Sequence, residues 1–283
     1  MKIVRKLTRI LPDKLYLQLM YYKHFHKFIN FKNPVTFNEK LQWLKIYDRK
    51  PEYTTMVDKY LAKEYVAEKI GREYIIPTLG VWEKAEDIDF DALPNQFVLK
   101  CNNDSGGIVI CKDKSTLNKE EAIRLLSSRL KNNGFWYGRE WPYKNVKPCI
   151  LAEKYMEDSK DGELADYKIH VFNGRPRFVL VCKNRYGEHG MSETFLTTEW
   201  DRMSMRRTNQ PDSSEEIPKP AIFEKMLDLA AALAKDISFL RVDFYVVDQR
   251  LYFGELTFYP ASGFKSFEPT DWDEKLGGYL SLH

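Results

Sequence analysis

Apolar residues recur three and four apart through Phe37, Leu41, Leu44 and Tyr47, and again through Val57, Leu61, Tyr65 and Val66. That spacing lines one face of a helix, so the stretch up to about residue 70 reads as helical. Asn38 is placed to cap the first of these runs, and Gly71 ends the second. Strands are expected at 96–100 and 108–111, flanking the small polar loop 102–107, with a helix over 119–132. After Pro148 the pattern turns to strands at 149–155, 167–172 and 177–182. The last two are joined by Asn173–Gly174, the strongest short hairpin signal. Residues 184–217 are polar and without periodicity, and read as a long loop. A helix over 218–238 precedes a second hairpin, 239–247 with 251–258. A helical front, a β-rich middle and a final helix-plus-hairpin point to an α+β protein rather than a doubly wound parallel sheet.

At 283 residues the chain is long enough for one large domain or two lobes, and 43% hydrophobic content argues against disorder. Aromatic residues, at 14%, suit sugar or nucleotide surfaces as well as cores. With 44 cationic and 41 acidic side chains, bulk electrostatics give no case for nucleic acid. Cys101, Cys111, Cys149 and Cys182 form no CxxC pair and have no His at zinc-ligand spacing, which fits a reducing cytoplasm. The N-terminus clusters Lys2, Arg5, Lys6 and Arg9 but has no long apolar run, so neither a signal peptide nor a membrane span is expected. It reads either as a helix packed on the body with a solvated face, or as a basic amphipathic helix touching anionic lipid.

The C-terminal hairpin carries the first candidate chemistry. With a three-residue loop, Val247 pairs with Leu251, which sets Asp243 opposite Glu255 and Arg241 opposite Thr257. Directly opposed carboxylates lie roughly 5 Å apart at Cβ and repel unless a cation separates them. Mg²⁺ takes one or two such hard oxygen ligands together with phosphate oxygens. An ordinary surface hairpin, its acids facing water or paired with Arg241, is equally consistent with the spacing alone. A second element is Lys100 at the end of an apolar strand, followed by Ser105, Gly106 and Gly107. An ammonium and unobstructed backbone N–H groups suit phosphate, although no Gly-Lys-Ser/Thr follows as in a Walker loop and a plain turn fits as well. Asp104-Ser-Gly-Gly107 does not read as a serine-protease nucleophile segment, because only His24 and His26 precede it, both in a helical, basic stretch, and no suitable Cys pairs exist. The DxD spacings at Asp87–Asp89–Asp91 and Asp271–Asp273 read more simply as a half-buried edge and a helix start. His24, His26, His170, His189 and His283 form no metal-binding pair.

Taken together, NPVTFNEKLQWLK (33–45), VDKYLAKEYV (57–66), FVLKCNNDSGG (97–107), REWPY (139–143), LAEKYM (151–156), DYKIHVFNG (166–174) and RVDFYVV with LYFGELTFYPASGF (241–264) resemble the TupA-like branch of the ATP-grasp superfamily. The resemblance implies two β-rich ATP-grasp lobes, over 76–152 and 153–283, behind a helical region over 1–75. It also implies ATP and Mg²⁺ as cofactors. Lys100 is then the phosphate-binding lysine, with Ser105, Gly106 and Gly107 the loop over the phosphates and Lys59 an earlier basic residue near the nucleotide. Glu153, Lys154 and Tyr155 form the linker whose backbone meets adenine. Asp166 and Lys168 order the triphosphate region, and Asp243 and Glu255 bind metal. Two departures stand out: Thr257 replaces the usual third-ligand Asn, and Asn103 stands where many relatives carry His.

The implied reaction joins a carboxylate to an amine through an acyl phosphate. Arg241 stabilises that intermediate, Lys168 shares the phosphate charge, and Ser262, Gly263 and Phe264 line the acceptor pocket. The branch further implies an amino acid or amine attached to a uronic acid during cell-surface polysaccharide synthesis. The expected location is cytoplasmic, at or near the inner membrane surface beside a polysaccharide assembly complex. A sugar phosphotransferase on the same scaffold, a glycosyltransferase and a non-catalytic assembly component are the alternatives.

Overall fold

Side chains that satisfy unpaired backbone N–H groups set two of the helix starts in the N-terminal third. In the computed structural model, which describes residues 9–103, 106–158, 164–183, 191–208, 210 and 216–283, four helices come first. They are α1 (Asp13–Phe25), α2 (Phe37–Tyr47), α3 (Glu52–Val57) and α4 (Leu61–Ile70). The cap of α2 is Thr36, not Asn38. The Thr36 hydroxyl accepts from Glu39 N–H (3.3 Å), and Glu39 Oε2 accepts from Thr36 N–H (3.2 Å), a reciprocal capping box. Asn38 is already inside the helix, buried, and donates to the Lys265 carbonyl. The second periodic run splits in two because Asp58 Oδ1 accepts from Tyr60 N–H (2.9 Å) and Leu61 N–H (3.2 Å), turning the chain between α3 and α4.

Two antiparallel sheets follow. The first contains β1 (Thr78–Trp82), β2 (Phe97–Cys101), β3 (Ile108–Cys111) and β4 (Ile150–Lys154) in the order β1-β4-β2-β3. Phe97, Leu99 and Cys101 turn towards α5 (Lys119–Leu130), where Leu126 completes a separate core. The second sheet contains β5 (Asp166–Phe172), β6 (Arg175–Lys183), β7 (Ser192–Thr197), β9 (Phe239–Val247) and β10 (Arg250–Thr257) in the order β10-β9-β5-β6-β7. Its main core takes in α2, α3, α4 and α7 (Phe223–Leu233), so the N-terminal helices pack with this sheet. A short α6 (Phe135–Gly138) lies between the sheets in sequence. A two-stranded pair, β8 (Arg206–Arg207) with β11 (Phe267–Glu268), precedes the final α8 (Trp272–Tyr279). The α+β class stands. Among the described residues no helix is long and apolar enough to cross a membrane.

Two expectations change. The stretch 184–217 contains β7 and β8 rather than loop alone. In β7 the successive residues Glu193, Thr194, Phe195 and Leu196 are all buried, so the strand lacks the alternation that marks a half-exposed one. The final hairpin turns on two residues, Asp248 and Gln249, both with positive φ (48° and 62°), as a two-residue I′ turn requires. Val247 therefore pairs with Arg250, and a bulge at Gly254 restores the register.

The helix α8 lies across the start of α2. A Cβ at Gly277 would meet the Val35 carbonyl oxygen at 2.1 Å, whereas one at Gly278 would meet nothing within 4 Å. Helix propensity favours Ala over Gly by up to about 1 kcal/mol at an exposed interior position. Gly278→Ala should therefore be neutral or slightly stabilising in urea unfolding. Gly277→Ala should instead destabilise, by about 1–3 kcal/mol as overpacked sites do. Equal effects at the two positions would contradict this packing.

Candidate functional site

Because side chains alternate along a strand, the residues of β2 and β3 that do not face α5 point the other way. Val98, Lys100, Ile108 and Ile110 line one wall of a cavity of about 890 Å³ between the sheets. Asp166, Tyr245, Phe253 and Glu255 of the second sheet line the opposite wall, and Lys59, Lys63, Lys112, Lys154 and Tyr155 stand around it. An apolar slot ringed by ammonium groups on one side and carboxylates on the other suits a flat ring with an anionic tail.

On the first wall the organising group is the Glu153 side chain. Its oxygens take Lys63 Nζ at 2.6 Å and Lys100 Nζ at 2.5 Å. Lys63 also donates to the Ile76 carbonyl and the Thr78 hydroxyl. Burial alone would raise the Glu153 carboxyl, but the Lys100 and Lys63 ammonium groups outweigh it and hold its pKa below the ordinary value. Burial lowers Lys63, with Glu153 opposing. Glu153 pairs with β1 on one edge and β2 on the other, and Lys154 N–H goes to the Pro77 carbonyl. The Glu153 and Lys154 backbone is thus paired within the first sheet, and the strand ends at Lys154, with Tyr155 following it on the cavity rim. Lys63 escaped the sequence reading, although a lysine on the buried stripe beside Ala62 and Val66 is itself a signal.

The second wall is built on Asp243, which is 2% exposed. Its Oδ1 accepts from Arg241 Nε (2.6 Å), and its Oδ2 accepts from Arg241 Nη2 (2.7 Å) and Lys168 Nζ (2.6 Å). Lys168 also donates to Asp166 Oδ2 (2.5 Å). The register places Lys168 beside Asp243 and Asp243 opposite Glu255. Burial would raise the Asp243 carboxyl, yet Arg241 and Lys168 bring its pKa down to about 2. Burial would lower Lys168, and Asp243 with Asp166 more than reverses that. Thr257 is engaged elsewhere, its hydroxyl accepting from Arg241 Nη2 at 2.9 Å. Beyond Arg241, burial together with Arg241 and Arg207 drives the His170 ring far below its ordinary pKa. Arg207 in turn holds Glu193 at 3.0 Å. Arg207 and Glu193 fall in or beside the region read as featureless loop.

Among the described residues no group of three or more His, Cys, Asp or Glu is placed to hold a metal ion. Asp243 and Glu255 face each other across the β9–β10 pair, and a hard cation held there would complete its shell with water and phosphate oxygens. Arg241 and Lys168 already occupy three acceptor positions of Asp243, which leaves Glu255, on the cavity wall, as the more open donor.

Of the other expected site residues, Gly106, Gly107, Ser262, Gly263 and Phe264 do not line the cavity. Ser105 falls outside the described residues. Gly106 faces Arg129, and a Cβ at Gly107 would meet Cys101 Sγ at 2.8 Å, so the described glycines close the β2–β3 turn against the protein. Ala261, Ser262 and Gly263 are three successive left-handed residues (φ 47°, 55° and 63°), an expensive conformation for the first two. Gln42 and Lys45 of α2 hold it: Gln42 Nε2 donates to the Ser262 and Gly263 carbonyls, and Lys45 Nζ to the Ser262 carbonyl (2.8 Å) and hydroxyl (3.1 Å). Full burial, with Glu140 opposing it, brings the Lys45 ammonium down to about 7. Phe264 stacks on His24 with centroids 4.9 Å apart. The DxD acids are structural: Asp89 holds a turn, Asp271 pairs with Lys275, and Asp273 accepts from Asn38 N–H.

Asp243 has a folded pKa of about 2 against an unfolded value of about 3.9. Its stabilising contribution is therefore complete above about pH 4 and is lost as pH falls towards 2. Asp243→Asn should destabilise by about 3 kcal/mol at pH 7, since it strands buried cations. Denaturation series between pH 5 and 2 should also show a shallower acid dependence in the variant. An unchanged acid profile would mean that Asp243 is not the coupled group.

The model of the TupA-like ATPgrasp family matches residues 39–281. No curated protein matches the chain. Among solved structures, the chain is similar to D-alanine–D-alanine ligase from Bacillus anthracis complexed with ATP, with 18% identity and a TM-score of 0.41, covering 72% of this chain and 53% of that one. It is similar also to D-alanine–D-alanine ligase from Helicobacter pylori (16% identity, TM-score 0.44, covering 87% and 69%). A third is L-amino acid ligase from Bacillus licheniformis (13% identity, TM-score 0.48, covering 93% and 56%). The chain thus spans little more than half the length of the first and third of these. With a family match running from α2 to the residues just beyond α8, the chain belongs to the TupA-like ATP-grasp family.

Proposed function

We propose that the protein is an ATP- and magnesium-dependent ligase that joins a carboxylate to an amine through an acyl phosphate. The observation that carries this reading is the cavity between the sheets, with Lys100 and Lys63 on one wall and Glu255, beside buried Asp243, on the other. Family membership supports ATP as the substrate. Val98, Ile108, Ile110 and Phe253 supply the apolar surface for a base, and the Glu153–Tyr155 segment its polar contacts. Lys100 neutralises the phosphate tail, with Lys59 near it. Asp243 and Glu255 would hold magnesium, which when bound offsets charge on the phosphate oxygens.

The chemistry then needs positioning rather than a protein nucleophile. A substrate carboxylate oxygen forms a bond to the γ-phosphorus as the bond to ADP breaks. The amine nitrogen next attacks the acyl carbon, phosphate leaves, and the nitrogen gives up its proton. Arg241, fixed by Asp243 and Thr257, presents positive charge to the acyl phosphate. Lys168 keeps Asp243 and Asp166 in place. The strained 261–263 turn and Phe264, which do not line the nucleotide cavity, would bound an acceptor site beside it. Cell-surface polysaccharide bearing a uronic acid is the proposed carboxylate, and an amino acid or simple amine the nucleophile; these rest on the family branch.

Thermal shift in ATP, ADP and sugar nucleotides with Mg²⁺ tests the nucleotide. At about 100 times its dissociation constant, ATP should stabilise by roughly 2.7 kcal/mol, and Lys100→Ala and Glu255→Ala should lose most of that gain. ADP and phosphate should then appear together only when both carboxylate and amine are supplied. Stabilisation by sugar nucleotides alone, or a stable phosphorylated sugar as the product, would refute the ligase reading.

A further inference from the structure

The helix α1 is apolar on two sides. Tyr16, Leu17 and Tyr21 are buried against the body, with the Tyr16 hydroxyl donating to the Tyr137 carbonyl and His24 stacked on Phe264. On the other side Leu15, Leu19 and Tyr22, spaced i, i+4 and i+7, form one stripe. Ile10 precedes it, and Phe28 follows, stacked on Tyr22 with centroids 4.9 Å apart. These five side chains are between 47% and 81% exposed. Scattered surface apolar residues need no explanation, but a contiguous stripe does.

Cations outnumber acids in the sequence around the stripe, and the nearby Glu39 carboxylate is taken up by the Asn30, Val35 and Thr36 N–H groups. Residues 1–33 hold eight of the chain's 44 lysines and arginines but one of its 41 acidic residues. That acid, Asp13, is turned into the body, where it pairs with Arg49 at 2.9 Å and Arg139 at 3.1 Å. Arg9, Lys14, Lys23, Lys27 and Lys32 are exposed. A second copy of the chain would bring the same cations against these, so like-charge repulsion opposes self-association through this face. An anionic bilayer satisfies both features: the apolar stripe enters the acyl boundary, and the lysines reach the headgroups.

We infer that α1 and the Lys27–Phe28 segment behind it form a docking surface for anionic lipid membrane. The opposite face of α1 lies on Tyr137, Arg139 and Phe264, so docking sets the 261–264 turn next to the bilayer.

Sedimentation of the full chain with vesicles tests this. Vesicles of phosphatidylcholine containing phosphatidylglycerol should carry the protein down, those of phosphatidylcholine alone should not, and salt near ~0.5 M should weaken the association. Leu19→Gln and Phe28→Gln should lower binding, and Lys23→Glu combined with Lys27→Glu should lower it by about tenfold or more. Leu79→Gln, an exposed apolar residue elsewhere, should leave it unchanged, with thermal melts confirming that all variants fold. Absence of binding, equal binding to both vesicle types, or equal loss in Leu79→Gln and Leu19→Gln would overturn the inference. So would a dimer in light scattering that Leu19→Gln dissociates.

Discussion

The Asp243 carboxylate lies almost out of contact with water, and the arrangement of the second sheet follows from keeping it there. A buried carboxylate is tolerable only when its acceptor sites are filled by cations with good geometry. Arg241 lies two residues away on the same face of β9, and Lys168 is set beside it by the β5–β9 register. A one-residue slip of either strand would turn its partner to the other face. The β9–β10 turn and the Gly254 bulge have the same consequence for Glu255 and Thr257. The ionic array therefore specifies the sheet as much as the sheet positions the array.

The first sheet repeats the device with opposite sign. Glu153 is a buried anion whose role is to hold two ammonium groups, Lys63 from α4 and Lys100 from β2, at the cavity wall. One wall is thus a cationic pair pinned by a carboxylate, and the other is a carboxylate pinned by cations. Charges fixed in this way would need little reorganisation to receive a polyanionic ligand and its counter-cation, which is the physical basis of electrostatic preorganisation. The strained 261–263 turn is likewise held in place, by Gln42 and Lys45.

Much of this was legible in the sequence, though not always for the right reason. The opposition of Asp243 to Glu255 and of Arg241 to Thr257 follows from a three-residue loop and an unbroken ladder. The protein uses a two-residue turn and one bulge, and the two differences cancel. Periodicity locates α2 because Phe37, Leu41 and Leu44 form its buried stripe; in α4 the buried residues are Ala62, Lys63 and Val66 while Leu61 is exposed, and β7 shows no alternation because both its faces are covered. Asn38 has a capping side chain, but Thr36, two residues earlier, is spaced to form the reciprocal pair with Glu39 and takes the cap instead. The carboxylate role of Glu153 could not be read from LAEKYM, since it depends on a lysine 90 residues earlier in the chain. Lys45 and Lys63 left a faint trace as lysines on apolar stripes, and burial distinguishes them from solvated ones only once the fold is known.

The central claim is that the β9–β10 carboxylates form a metal site whose second oxygen donor set comes from the nucleotide phosphates. Anomalous diffraction from crystals grown with Mn²⁺ and a non-hydrolysable ATP analogue tests it directly. The account predicts a manganese peak within about 2–2.3 Å of a Glu255 oxygen and adjoining Asp243, with the phosphate tail reaching towards Lys100. A manganese peak remote from both carboxylates, or a nucleotide bound outside the cavity between the sheets, would contradict it.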